Sequence, residues 1–307
     1  MHWTSCVPGL DAGSVPPTDA RAASPDARTA RTARTARSAA AGDHDVDEAL
    51  LAEVVAAAEA AGERLLERSP AAVRPRTREE VVAAIRAGDA ASLAVLRPRL
   101  QAARPGAGWV EDELDDGALP AGEWWVVDPV EGAINHVHGL GEWAVTATLV
   151  RDGQPLLAVV HLPLARAVCT AVAGGGARLD GAVLRTSGKT ELSAALVGTG
   201  QASPRESAGT FRLIGRSVTA MMAACGVARV SVPPTLQLLD VAAGRTDVFW
   251  QHSAVRSGLL AGALLVTEAG GTISDLHGKA WSLGSRDFLA TAPALHSQAV
   301  DVLSPLA

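Results

Sequence analysis

Two carboxylates, Asp128 and Glu131, flank a proline in the stretch Trp125-Val126-Val127-Asp128-Pro129-Val130-Glu131-Gly132-Ala133-Ile134-Asn135. The apolar run reads as a buried strand that ends in Asp128. Pro129 stops the strand, and Gly132 opens a turn. Hard divalent cations take carboxylate oxygens, and phosphates take backbone N–H groups. The segment therefore has the residue types to hold a metal ion and a phosphate side by side. The Glu131 carboxylate equally suits capping the helix start that follows it.

The elements that would position this turn are readable along the chain. Val46 to Arg68 has a helical pattern, with Leu50, Leu51, Val54, Val55, Ala58 and Leu65 on one face. Thr77-Arg78-Glu79-Glu80 reads as a capping box opening a second helix through about Leu96. Trp143 to Val150 and Leu156 to His161 alternate as strands around the turn Arg151-Asp152-Gly153-Gln154. A second pair, Ala167 to Ala173 and Ala177 to Leu179, flanks Gly174-Gly175-Gly176. That triple glycine lacks the Lys-Ser/Thr of a phosphate loop and reads as a hairpin. Beyond Leu192 strands and helices alternate: a strand at Ala195 to Gly198, a helix near Arg216 to Ala224 and a strand at Ala228 to Val232. Helices then run from Pro234 to Ala243 and from Ser257 to Ala269, the last stopped by Gly270-Gly271. Helices, then an antiparallel sheet, then an α/β half give a layered α/β protein with two lobes and a site between them.

Composition narrows the function classes. The chain has 307 residues, is 48% apolar and carries a formal net charge of −6. It can bury a substantial core and has no large basic region, which argues against nucleic acid as a partner. Cys6, Cys169 and Cys225 form no CxxC, so neither a disulfide framework nor a zinc site follows, and a reducing, cytoplasmic setting fits. No secretory signal and no run long enough to cross a bilayer is visible. Residues 1–44, rich in Ala, Arg and Pro, read as a disordered tail containing the repeat Thr29 to Arg37.

The octet Asp128 to Asn135 resembles the D-P-(L/I)-D-G-T-x-N motif of the inositol monophosphatase-like phosphatases. Other pieces follow in family order. Gly174-Gly175-Gly176-Ala177, Asp180-Gly181 and Ser187 resemble a Gly-x-Gly-A, Asn-Gly, Ser series. Val241 to Asp247 resembles V-A-x-G-R-x-D, and Ala261 to Gly271 resembles A-G-x-L-(L/I/V)-V-x-E-A-G-G. The likeness runs from about Val46 to Leu303. It implies a layered sandwich of helices and sheets, with an N-terminal α+β lobe over residues 45–190 and an α/β lobe over 191–307. It further implies Mg²⁺-assisted hydrolysis of a small phosphate monoester, an inositol, sugar or nucleotide phosphate. Carried over residue by residue, Asp112, Asp128, Glu131 and the Val130 carbonyl become metal ligands, and Glu113 joins them as a catalytic carboxylate. The Gly132 and Ala133 amides face phosphate, and His252 lies near the substrate-facing residues. A homodimer and the absence of a membrane partner are implied as well.

Departures from the family pattern set the functional question. Glu131 stands for a second Asp, Ala133 for a Thr that positions water, Gly258 for an Asp ligand, and Val232-Pro233 for a substrate-contacting Gly-Ser. A site with fewer ions, Mg²⁺ or Mn²⁺, follows, with Asp112 and Glu131 compensating each other's length. Two other readings stand beside hydrolysis. One is a relative that binds a phosphorylated ligand or a protein without hydrolysis. The other is an enzyme repurposed for different chemistry, with His136 and His252 as acid–base groups. His138 matches a family histidine near a helix start and reads as structural. In the non-hydrolytic reading, restoring Ala133→Thr and Gly258→Asp would show which losses matter.

Overall fold

Alternating apolar residues between Ala144 and Leu162 build the sheet on which the other layers lie. The computed structural model describes residues 48–68, 74–111, 118–203, 206–253, 255 and 257–307. The tail, residues 1–44, lies outside them. Strands β3 (Ala144–Arg151) and β4 (Gln154–Leu162) pair antiparallel around the expected turn, where Asp152 and Gly153 take positive φ. Val145, Ala147, Leu149, Leu157 and Val159 enter one core, and Ala144, Ala158 and Val160 enter another. Strands β1 (Gly108–Trp109), β2 (Glu123–Glu131), β5 (Ala167–Val172), β6 (Gly176–Leu179) and β7 (Ala182–Val183) complete a seven-stranded sheet in chain order. All its pairings are antiparallel except β1 with β2.

Helices α1 (48–67) and α2 (Arg78–Ala103) cover one face of this sheet. The α1 stripe is as expected, with Leu50, Val54, Ala58 and Leu65 buried. Helix α2 runs past the expected end at Leu96, through Pro98, to Ala103. A proline removes one helical hydrogen bond, but Leu96 and Leu100, both fully buried, hold the helix to the sheet on either side of it. The capping box forms with a displaced return arm: Thr77 Oγ1 accepts the Glu80 N–H at 3.2 Å, and Glu80 accepts from Arg76, not Thr77.

A short helix, α3 (Ala133–His138), joins β2 to β3, and the second half begins with β8 (Leu196–Thr199). Then come α4 (Ala208–Ala224), β9 (Val227–Val230), α5 (Pro234–Ala242), β10 (Val248–Gln251), α6 (Ser257–Glu268), β11 (Thr272–Ser274), β12 (Phe288–Thr291) and α7 (His296–Leu303). The five strands form a mixed sheet, β11-β12-β10-β8-β9. Helix α4 starts well before Arg216, capped by Ser207, and β9 stops at Val230, short of Val232. Strands β10 to β12 are only three or four residues long. Such runs carry too little periodicity to read from sequence.

Helices α5 and α6 lie between the two sheets, and α4 and α7 cover the outer face of the second. The order is helix, sheet, helix, sheet, helix. Helix α6 is apolar on every side and buried from Ser257 to Val266, as a central layer requires. At Gly262 a Cβ would lie 2.4 Å from Leu238 Cδ1, so the missing side chain sets how closely α5 and α6 approach.

Candidate active site at the Asp128 turn

The strand does not stop at Asp128: β2 runs on through Pro129 to Glu131, because the Glu131–Ala144 pairing resumes beyond the proline. Pro129 has no N–H to give the ladder, and the register of β2 on β3 slips between Asp128 and Glu131. The Asp128 carboxylate accepts the Val130 N–H at 3.1 Å, and the Asp128 N–H donates to Thr146 Oγ1 at 3.3 Å. Gly132 then turns the chain into α3 with φ 82° and ψ 34°. A Cβ there would lie 2.8 Å from the Glu142 carbonyl, so both conformation and space require glycine. The amides of Gly132, Ala133 and Ile134 make none of the hydrogen bonds found among the described residues. They open the first turn of α3, where N–H groups have no intrahelical partner.

Glu131 is buried, at 3% exposure, and its partner comes from the far side of the sequence. Its Oε1 accepts the Thr235 N–H, at the start of α5, at 3.3 Å. The helix it caps is therefore α5, not the α3 that follows it. Thr235 Oγ1 in turn donates to the Gly258 carbonyl at 3.0 Å. Asn135 Nδ2 donates to the carbonyls of Glu142 and Val232, both at 2.8 Å. The residues that replace Gly-Ser thus lie directly on the turn. A Cβ at position 132 would meet Pro233 Cγ at 3.0 Å, and one at 258 would meet Pro234 Cγ at 2.7 Å. Gly258→Asp would need Pro234 to move, so that substitution alone does not restore a ligand.

The other anticipated residues divide. Asp112 and Glu113 lie outside the described residues. Glu111, beside Asp112 in the chain, is exposed and paired with the Arg97 guanidinium, which holds its carboxyl below the usual range. Ala133 packs partly buried against the core below α3. His252 follows β10 half-buried, and its Nε2 has no hydrogen-bond partner among the described residues. Burial lowers its pKa, opposed by the nearby Asp287. His136 stacks edge-on against Trp143, with centroids 4.6 Å apart, beside a cleft of about 140 Å³ lined by Leu65, Leu66, Leu140 and Leu164. Burial lowers its pKa as well. His138 lies at the end of α3, not near its start, and its Nδ1 is 2.7 Å from the Ile134 carbonyl, a local structural bond.

Two resembling motifs are scaffold. Asp247, at the end of Val241 to Asp247, is buried and accepts from Ser187 Oγ, Lys189 Nζ and the Leu196 N–H. Glu268 accepts the Gly174 and Gly176 amides, both at 2.8 Å, which fixes the triple-glycine hairpin. Sequence reasoning assigned no role to Asn135, Pro234 or Thr235. Their partners are distant in sequence, and only the Pro-Pro pair facing two glycines gave any local signal.

The donors at the turn suit a hard cation in kind: two carboxylates and the Val130 carbonyl. Among the described residues no group of three or more His, Cys, Asp or Glu side chains is placed to hold a metal ion.

The model of the inositol monophosphatase family matches residues 45–305. An inositol-1-monophosphatase of Rhizobium meliloti is 35% identical over 186 residues, covering 60% of this chain and 69% of that protein. The Nus factor SuhB of Pseudomonas aeruginosa is 38% identical over 168 residues, 54% of this chain and 59% of its own. Among solved structures, Mycobacterium tuberculosis SuhB aligns with a TM-score of 0.69 at 26% identity, over 84% of this chain and 97% of that one. The Bartonella henselae extragenic suppressor protein SuhB gives 0.70 at 26% identity, over 83% and 98%.

Proposed function

The chain belongs to the inositol monophosphatase family, and from that premise we propose that it hydrolyses a small phosphate monoester at the Asp128 turn with fewer metal ions than the family's usual two or three. The observation that carries this reading is the turn itself. The Asp128 carboxylate lies a few residues before three successive amides that donate to no partner among the described residues. Asp128, Glu131 and the Val130 carbonyl would hold one Mg²⁺ or Mn²⁺, and Asp112 and Glu113 join them on the motif alone. A bound ion supplies charge neutralisation and an activated water. The amides of Gly132, Ala133 and Ile134 bind and orient the phosphate oxygens. Pro233, packed on Gly132, excludes water from that side. Ala133 brings no hydroxyl to the attacking water, which lowers the rate by about 10²–10⁴-fold. The substrate is an inositol, sugar or nucleotide phosphate; the protein acts in the cytoplasm as a homodimer, without a nucleic-acid or membrane partner.

The test is phosphate release from a panel of inositol, sugar and nucleotide phosphates, with Mg²⁺, with Mn²⁺ and with chelator. Metal-dependent release from one class, abolished by Asp128→Asn, is the expected result. Turnover that ignores the chelator overturns it. One set of contacts favours a second reading, a relative that binds a phosphorylated ligand without hydrolysing it. Pro233 and Pro234 sit against Gly132 and Gly258, and Glu131 is engaged by α5. Binding of inorganic phosphate with no release from any substrate would select that reading.

A further inference from the structure

Three contacts join the Asp128 turn to the start of α5 and two more join α5 to Gly258, and together they are more than lobe packing. Glu131 reaches the Thr235 amide, Asn135 holds the Val232 carbonyl, and Thr235 holds the Gly258 carbonyl. Two prolines fill the spaces left by two glycines: Pro233 on Gly132 and Pro234 on Gly258. A carboxylate one methylene shorter at 131 would fall short of Thr235. A side chain at 258 would collide with a proline ring, which has no rotamer to retreat into. The four residue types therefore fit one another.

We infer that Glu131, with Pro233-Pro234 against Gly132 and Gly258, forms a latch by which the second half of the chain positions the Asp128 turn. Glu131 is in this respect a positioning residue: its Oε1 anchors the turn to α5 and thereby fixes where the Gly132, Ala133 and Ile134 amides point. The inference rests on the reading that this turn is the phosphate site, and it adds that the site's geometry is set from α5. A carboxylate accepting a helix-terminal amide is stabilised by the helix dipole as well as by the hydrogen bond.

Amide hydrogen exchange of the full chain in chelator, without substrate, tests the latch apart from catalysis. Glu131→Ala should speed exchange by about tenfold or more in two segments at once, 130–137 and 233–239, as expected when a charge-assisted hydrogen bond is lost. Glu131→Gln, whose amide oxygen still accepts from Thr235, should keep exchange near that of the parent while losing metal-dependent phosphate release. The second arm is a double-mutant cycle on thermal stability. Gly258→Ala should lower Tm, and Pro234→Ala in the same chain should recover at least half of the loss. Unchanged exchange in Glu131→Ala, or strictly additive effects of the 234 and 258 changes, would overturn the latch. Because both arms are read without metal or substrate, their failure leaves the hydrolytic reading standing, and a failed phosphatase assay leaves the latch standing.

Discussion

Two glycine turns in this protein look alike in sequence and end differently. At Gly174-Gly175-Gly176 the amides of the first and third glycines are taken by the Glu268 carboxylate. At Gly132 the amides that follow the turn have no acceptor among the described residues, and the Asp128 carboxylate accepts its own Val130 amide. The difference teaches where an anion can bind. Glycines make a sharp turn possible, but only a turn whose N–H groups the fold leaves unspent is a receptor. The first turn is closed by its own protein, and the second is held open by contacts from α5.

The sharpest way to break the comparison is Gly132→Ala. The left-handed backbone and the Glu142 carbonyl at 2.8 Å from a Cβ both oppose it. Phosphate release should fall by about 10²-fold or more, as for loss of oriented transition-state donors. The measurement is kcat/KM beside a circular dichroism melt, and unchanged kcat/KM in a folded variant would count against the turn as the phosphate site. Ala133→Thr sharpens the same side of the comparison. It returns a hydroxyl to the turn and should raise kcat by about 10²-fold, the low end of the usual range of a positioned acid–base group.

Glu268→Gln addresses the closed turn. Replacing a carboxylate that accepts two amides should lower Tm by about 3–6 °C, with phosphate release unchanged. A loss of release without a loss of stability would show that the two turns are not separate in role. The smallest effect concerns a carboxylate with no such donors. Burial raises the Asp89 pKa from 3.8 to about 6. Its folded-state pKa lies above its unfolded value, so ionisation costs the folded state stability as pH rises from about 4 to about 6 and fully above that. Asp89→Asn should therefore raise Tm by about 2–5 °C at pH 8 and leave it unchanged at pH 4, read from melts at both values.

Much of the architecture was legible because it rests on local pattern. The alternation of Ala144 to Leu162, the α1 stripe, the Asp152-Gly153 turn and the all-apolar α6 each declare themselves within about ten residues. The strand leading to Asp128 was legible for the same reason, but not its end, since β2 passes Pro129 with an irregular register and continues to Glu131. Nor was the role of Glu131. Its acceptor site was read against the helix that follows, whereas the amide it binds lies 104 residues along the chain. The burial of His252 was not legible either: nothing local says that a histidine after a four-residue strand is half-buried near Asp287. Helix α2 ran beyond its expected end because tertiary burial of Leu100 outweighs one proline.

The central claim is that the Asp128 turn holds a single divalent ion for phosphate chemistry. Calorimetric titration of Mg²⁺ into the protein with inorganic phosphate present tests it most directly. One ion per chain is expected, with binding lost in Asp128→Asn and the melting temperature of that variant close to the parent's. Binding that survives Asp128→Asn, or a folded protein that takes up no ion at all, would contradict it.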